Sequence, residues 1–260
     1  QGDVGSGKTI VSLISALNVI ESNFQVALMA PTEILARQHY NLAKQLFPKN
    51  INIKLLSSKS ENKDKKIILE GLKNDKIKMI FGTHAIFQKK ILFSKLGYII
   101  IDEQHKFGVR QRKLLSDKGG KNCDVLLMSA TPIPRTLTMS IYGDMDVSII
   151  REKPNHRKEV KTYSKPENKI NDVISFVKKE IKNENQVFWV CPLIEESKKI
   201  DHQSSVKKFE FLNKLFPNKV GLLHGKMDIK EKEKILNKFL NKEYLILVST
   251  TIIEVGIDFP

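Results

Sequence analysis

The chain has 260 residues, 41% of them hydrophobic and 28% charged, and a formal net charge of +15. That composition excludes a disordered or fibrous chain and is enough for one large domain or two ordinary ones, each with its own core. No apolar run approaches the roughly 18 residues of a membrane span, and no charged-then-apolar leader opens the sequence, so the expectation is a cytoplasmic protein.

In chain order, the first motif is GDVGSGKT, Gly2 to Thr9. Its glycines let the backbone curl so that N–H groups point inward at phosphate oxygens. Ile10, Val11, Leu13, Ile14 and Leu17 follow at helical spacing, so a helix N-terminus would add its positive end to the same place. A phosphate loop hangs between a strand and a helix, and only Gln1 precedes this one. The expectation is therefore that its opening strand lies outside the 260 residues and that Gly2 lacks its anchor.

Short apolar runs then alternate with helical patterns. QVALMA (25–30), KMIFGT (78–83), YIIIDE (98–103) and DVLLMSAT (124–131) are predicted strands, and being apolar at consecutive positions they are expected to be buried on both faces of a parallel sheet. Helices are predicted over Glu33–Phe47, Asn62–Asn74 and Val109–Ser116, which makes a βαβ series. The polar, proline-bearing stretch 151–166 is the expected linker. Beyond it the pattern restarts: helix Glu167–Lys182, strand QVFWV (186–190), helix Ser205–Leu215, strand VGLLHG (220–225), helix Ile229–Leu240 and strand YLILVST (244–250).

Two cysteines, Cys123 and Cys191, have no Cys or His near them at ligand spacing, so buried thiols are expected and no structural metal or disulfide. Of the 44 basic residues 38 are Lys. They read equally as a nucleic-acid face or as solvated lysines spread over all faces. Trp189, inside an apolar strand, is expected in the core, and the isolated His39 and His202 as ordinary packing or surface groups.

The motifs carry the chemistry. Lys8 is placed to reach the β- and γ-phosphates and Thr9 to offer its hydroxyl to Mg²⁺. Asp102 and Glu103 end a buried strand, where ligands bind in open α/β sheets. There an Asp can hold Mg²⁺ and a neighbouring carboxylate can orient and deprotonate the attacking water. Taken alone, the acidic pair reads as a helix cap. On the next strand Ser129 and Thr131 put two hydroxyls at a strand end, within expected reach of the turn at Asp102 to His105.

In this order the residues resemble the motor of superfamily-two helicases. APTEILARQH (30–39) and GTHAIFQ (82–88) look like the family's motifs Ia and Ib, FWVCPLIEES (188–197) like the start of its second lobe, and LHGKM (223–227) and STTIIEVGIDFP (249–260) like its later DNA-contacting motif and motif V. Within that superfamily DEQHKFGVRQR, TPIPRT, YGDMDVSII and WVCPLIEES are similar to the RecG family of bacterial DNA helicases. The transcription-repair coupling factor has a similar motor, but usually with DEEH for DEQH and without the WVCPLIEES stretch.

The resemblance implies an α/β fold of P-loop NTPase type, two tandem RecA-like lobes with mainly parallel sheets. It places an ATP-binding lobe at 1–150, lacking its first strand, the linker at 151–166, and an incomplete second lobe at 167–260. It implies ATP and Mg²⁺ as cofactors, with Gly2, Asp3, Val4, Gly5, Ser6, Gly7, Lys8 and Thr9 around nucleotide, and Thr9 and Asp102 on the metal. Lys8, Asp102 and Glu103 are the catalytic set, and Gln104, His105, Ser129 and Thr131 couple nucleotide state to DNA. Thr32, Thr83, His84, Lys226, Thr250 and Thr251 sit in loops resembling backbone-contacting motifs.

The implied partner is DNA, preferentially branched, for a monomer that needs no membrane. The family's branch-reading wedge and its motif VI arginines are expected outside these residues, and the 260 residues alone are expected to be largely inactive. An RNA-directed DExH helicase and a nucleotide-dependent DNA-binding module without turnover remain as alternatives.

Overall fold

The computed structural model describes residues 1–57, 62–88, 90–103, 123–131, 146–152, 160–191, 198–225 and 227–250. The predicted helix at Val109–Ser116 lies outside them. The chain divides into two units, Gln1–Arg157 and Lys158–Pro260.

The first unit contains helices α1 (Lys8–Glu21), α2 (Glu33–Leu46) and α3 (Asn62–Lys73), and strands β1 (Gln25–Met29), β2 (Ile53–Leu56), β3 (Met79–Gly82), β4 (Leu96–Asp102) and β5 (Asp124–Met128). The strands pair in the order β2-β3-β1-β4-β5, every pair parallel. Their carboxyl ends therefore share one edge of the sheet.

All residues of β1, β3 and β4 are buried, because the sheet carries a core on each face. Alternate side chains of a strand point to opposite faces. Ile99 and Ile101 thus join Ala27, Met29 and Ile80 on one side, while Tyr98 and Ile100 join Val26, Leu28 and Phe81 on the other. Fully burying each large aliphatic or aromatic side chain is worth about 1.5–3 kcal/mol, so runs such as YIII have no solvent-facing alternative.

Two sequence expectations change here. β2 was not foreseen: it is four residues long with Lys54 exposed, and it pairs only at the sheet's margin. β5 was expected buried on both faces, yet its first two residues are exposed and Val125 is 39% accessible. Beside it runs a trough of about 220 Å³ lined by Val11, Val125, Leu127, Ser148 and Ile150 among others.

The second unit contains α4 (Ile170–Lys182), β6 (Val187–Val190), α5 (Lys198–Leu215), β7 (Val220–Leu223), α6 (Ile229–Leu240) and β8 (Ile246–Ser249), with parallel strand order β6-β8-β7. A single turn of 3₁₀ helix, Glu167–Lys169, precedes α4 where continuous helix was predicted. The core gathers Ile174, Val177, Leu212, Val220, Ile246 and Val248. Trp189 packs against it, and the Lys208 ammonium lies 5.5 Å from the ring centroid, a cation–π contact that covers the indole's outer side.

Candidate functional site

The glycine loop is held at its first residue. Gly2 donates its N–H to the Ser129 carbonyl at 3.3 Å and forms a parallel bridge with Ile150, while Ile150 N–H reaches the Gln1 carbonyl at 2.8 Å. This corrects the expectation that Gly2 is unanchored: the ends of β5 and of the segment at 148–150 grip it from both sides. A Cβ on Gly2 would stand 2.5 Å from Ser6 Oγ and 3.2 Å from Ile150 Cβ, so any larger residue must turn Ser6 aside and push Ile150 back by a few tenths of an ångström.

Beyond that anchor the backbone curls. Gly5 and Gly7 take φ values of 77° and 94°, in the left-handed region natural to glycine. The Asp3 carbonyl accepts the Ser6 N–H at 3.1 Å and the Asp3 carboxylate the Val4 N–H at 2.8 Å. Lys8 opens α1 and folds back, its Nζ donating to the Gly2 and Asp3 carbonyls at 2.7 and 2.9 Å. Thr9 follows, half-buried.

This cradle fits a phosphate. The first turn of α1 holds no acidic residue and Gly7 gives it no side-chain cap, so nothing in that turn repels an anion at the positive end of the helix. Ser6 Oγ is buried without a hydrogen-bond partner, the kind of orphaned group a bound oxygen would satisfy.

Asp102 ends β4 in register with Met128, the residue before Ser129 to which the loop is tied. The sheet thereby carries loop and carboxylate to the same edge. Asp102 is 7% exposed. Its Oδ1 accepts the Glu103 N–H at 3.0 Å, and its Oδ2 lies 2.8 Å from His39 Nε2. Hard oxygen donors of this kind suit Mg²⁺, which binds through one or two carboxylates plus substrate phosphates.

Glu103 sits at φ 51°, left-handed for a residue with a full side chain. Such a conformation costs on the order of 1–3 kcal/mol and persists where surrounding structure imposes it, most often at functional sites.

Ser129 and Thr131 are bonded to each other. Ser129 Oγ bonds the Thr131 carbonyl and hydroxyl, both at 3.0 Å, and accepts the Thr131 N–H at 3.2 Å. Gln104 and His105, which complete the turn these hydroxyls are expected to reach, lie outside the described residues.

Of the loop candidates, Thr32 and Thr83 follow β1 and β3 at the same edge as Asp102. Thr32 caps α2, accepting the Leu35 N–H at 3.3 Å. Thr83 caps the 3₁₀ turn His84–Phe87 without a side-chain bond, and His84 is exposed. Thr250, after β8 in the second unit, is buried. Gln104, His105, Lys226 and Thr251 lie outside the described residues.

In the second unit Lys232 donates to the Gly225 carbonyl at 3.0 Å, and its burial lowers its pKa below the usual lysine value. In the first, burial is the main cause holding the Tyr98 phenol above its usual range.

His39 is the residue the sequence reading missed. The sequence alone reads it as an ordinary packing or surface histidine, whereas its ring lies against the Asp102 carboxylate. A signal was present: Leu35, Ala36, His39 and Ala43 recur at helical spacing, which puts the imidazole on the buried face of α2.

Residues 1–140 match the DEAD/DEAH box helicase family, and residues 168–260 match the helicase conserved C-terminal domain. The chain belongs to the DEAD/DEAH box helicase family. Within the family it is 51% identical over its whole length to the ATP-dependent DNA helicase RecG of Aquifex aeolicus, covering 33% of that protein. It is 48% identical to RecG of Thermotoga maritima, again over its whole length and covering 34% of that relative.

Among solved structures, RecG bound to a three-way DNA junction is 43% identical and superposes with a TM-score of 0.75, over all of this chain and 34% of that one. The chain thus spans about a third of the length of these relatives. No helix of the described residues is long and apolar enough to cross a membrane, and no cluster of three or more His, Cys, Asp or Glu among them could hold a metal ion.

Proposed function

We propose that this chain is the motor portion of an ATP-dependent DNA helicase or translocase that remodels branched DNA, such as stalled forks and Holliday junctions, in recombination and repair. One observation carries the reading: the GDVGSGKT loop is bonded through Gly2 to the strand end beside Asp102, so phosphate cradle and acidic pair share one sheet edge. The identity to RecG supports the choice of branched DNA as partner. Residues 1–150 form the ATP-binding lobe, 151–166 the linker and 167–260 the second lobe. The protein acts as a cytoplasmic monomer.

In the mechanism, residues 2–9 hold nucleotide: the loop's backbone N–H groups and the α1 N-terminus bind phosphate oxygens, and Lys8 exchanges its bonds to the Gly2 and Asp3 carbonyls for the β- and γ-phosphates. Thr9 and Asp102 supply oxygen ligands to Mg²⁺. When bound, the metal neutralises charge on the transferring phosphoryl group. Glu103 orients the attacking water and accepts its proton. Gln104 and His105, with Ser129 and Thr131, relay nucleotide state to DNA. Thr32, Thr83, His84, Lys226, Thr250 and Thr251 contact the DNA backbone, which carries no sequence information.

The test uses the full-length protein. Glu103→Gln is expected to retain ATP and Mg²⁺ binding and to lose turnover, whereas Lys8→Ala weakens nucleotide affinity itself. Equilibrium binding of a fluorescent ATP analogue, beside steady-state ATPase, separates the two. Near-normal ATPase in Glu103→Gln, or unchanged affinity in Lys8→Ala, removes that residue from its role.

A further inference from the structure

The buried face of α2 is Leu35, Ala36, His39 and Ala43, three apolar residues and one imidazole. Packing alone does not call for the histidine, since a leucine would continue the stripe without a polar group to satisfy. The histidine has a specific use. It is 5% exposed, and its Nε2 lies 2.8 Å from Oδ2 of Asp102. An ionised carboxylate only accepts, so Nε2 bears the hydrogen and donates it. With Oδ1 already taken by the Glu103 N–H at 3.0 Å, the carboxylate is fixed from two sides. One hold is local and the other comes from 63 residues earlier in the chain.

We propose that His39 is a positioning residue for the metal site: through Nε2–H···Oδ2 it fixes the plane of the Asp102 carboxylate and thereby sets the affinity for the divalent cation. The proposal rests on the reading of Asp102 as a metal ligand. Groups that orient a ligating side chain are typically worth about 10–100-fold in metal affinity. His39 also ties the carboxylate to α2, the helix capped by Thr32, so the metal ligand and a candidate DNA-contacting loop belong to one packed body.

The measurement is Mn²⁺ affinity in the presence of ADP, followed by electron paramagnetic resonance on the full-length protein, with metal-free ADP affinity as control. His39→Leu is expected to weaken Mn²⁺ binding about 10-fold or more with metal-free ADP affinity unchanged. His39→Gln, whose amide Nε2 reaches the same carboxylate oxygen, restores most of it. His39→Asn carries a donor that falls short and behaves as Leu does, which keeps the test alive if the leucine variant does not fold.

Wild-type Mn²⁺ affinity in His39→Leu or His39→Asn overturns the proposal, as does a His39→Gln variant no better than leucine. Asp102→Asn separates the layers. If it leaves Mn²⁺ affinity intact, the reading of Asp102 as ligand falls, and the His39 proposal with it. If it weakens Mn²⁺ while His39→Leu does not, only the His39 proposal falls.

Discussion

At the residue scale, the interactions that shape the first unit join positions far apart in the chain. Gln25 is wholly buried, and its amide serves four backbone groups: Nε2 donates to the Leu72 and Ile77 carbonyls at 2.9 and 2.8 Å, and Oε1 accepts the Ser94 and Lys95 N–H groups at 2.8 and 3.0 Å. A buried polar group left without its partner costs about 1–3 kcal/mol. Gln25→Leu is therefore expected to speed hydrogen exchange at the Lys95 amide about tenfold or more, since each 1.4 kcal/mol is a factor of ten. Unchanged protection there would show that the glutamine is not the staple.

Cys123 gives a second residue-level expectation. Burial, aided by Asp124, pushes its thiol up to about 11. A raised pKa leaves less thiolate at neutral pH, and only the thiolate is nucleophilic. Alkylation of Cys123 at pH 8 is thus expected to be much slower than for a free thiol and to climb until about pH 11. A rate that levels off near pH 9 contradicts this.

Gln25 did not announce its role in the sequence and His39 announced only its burial, because their partners are distant in the chain. The glycine loop and the acidic pair were legible as candidates, because their patterns are local: glycine spacing in one, a strand end in the other. Glycine spacing could not show what grips Gly2, since Ser129 and Ile150 come from the far side of the unit.

At the scale of elements, legibility followed burial. β1, β3 and β4 are covered on both faces, so each is a continuous apolar run with a clear signal. β2 has one exposed lysine in four residues and reads as loop, and β5 has the run without the cover, so its existence was legible and its exposure was not. In α1 the apolar residues go nearly all round, and the structure buries Leu13, Ala16 and Ile20 while Ile10, Val11 and Ile14 stay exposed.

The two-sided sheet makes β4 the element least tolerant of a void. Ile100 is wholly buried. Ile100→Ala is expected to cost about 2–5 kcal/mol, as large-to-small core changes do. Exposed Ile14→Ala should be within about 0.5 kcal/mol of neutral. Urea titration compares the two. A small loss at Ile100 would mean that the sheet is not the rigid support on which Asp102 is set.

At the scale of the whole molecule, the proposed activity is ATP-dependent work on branched DNA. A net charge of +15 fits a polyanionic partner and solvated lysines equally, whereas contacts to phosphate predict binding that weakens steeply with salt. Charge does not distinguish DNA from RNA or a junction from a duplex; the likeness to RecG is what points to branched DNA. The most direct test is ATPase of the full-length protein, at one salt concentration, with a four-way junction, linear duplex DNA and structured RNA compared. The account predicts the largest stimulation by the junction, less by duplex, little by RNA, and none by any of them in Glu103→Gln. Equal stimulation by RNA, or none by the junction, contradicts it.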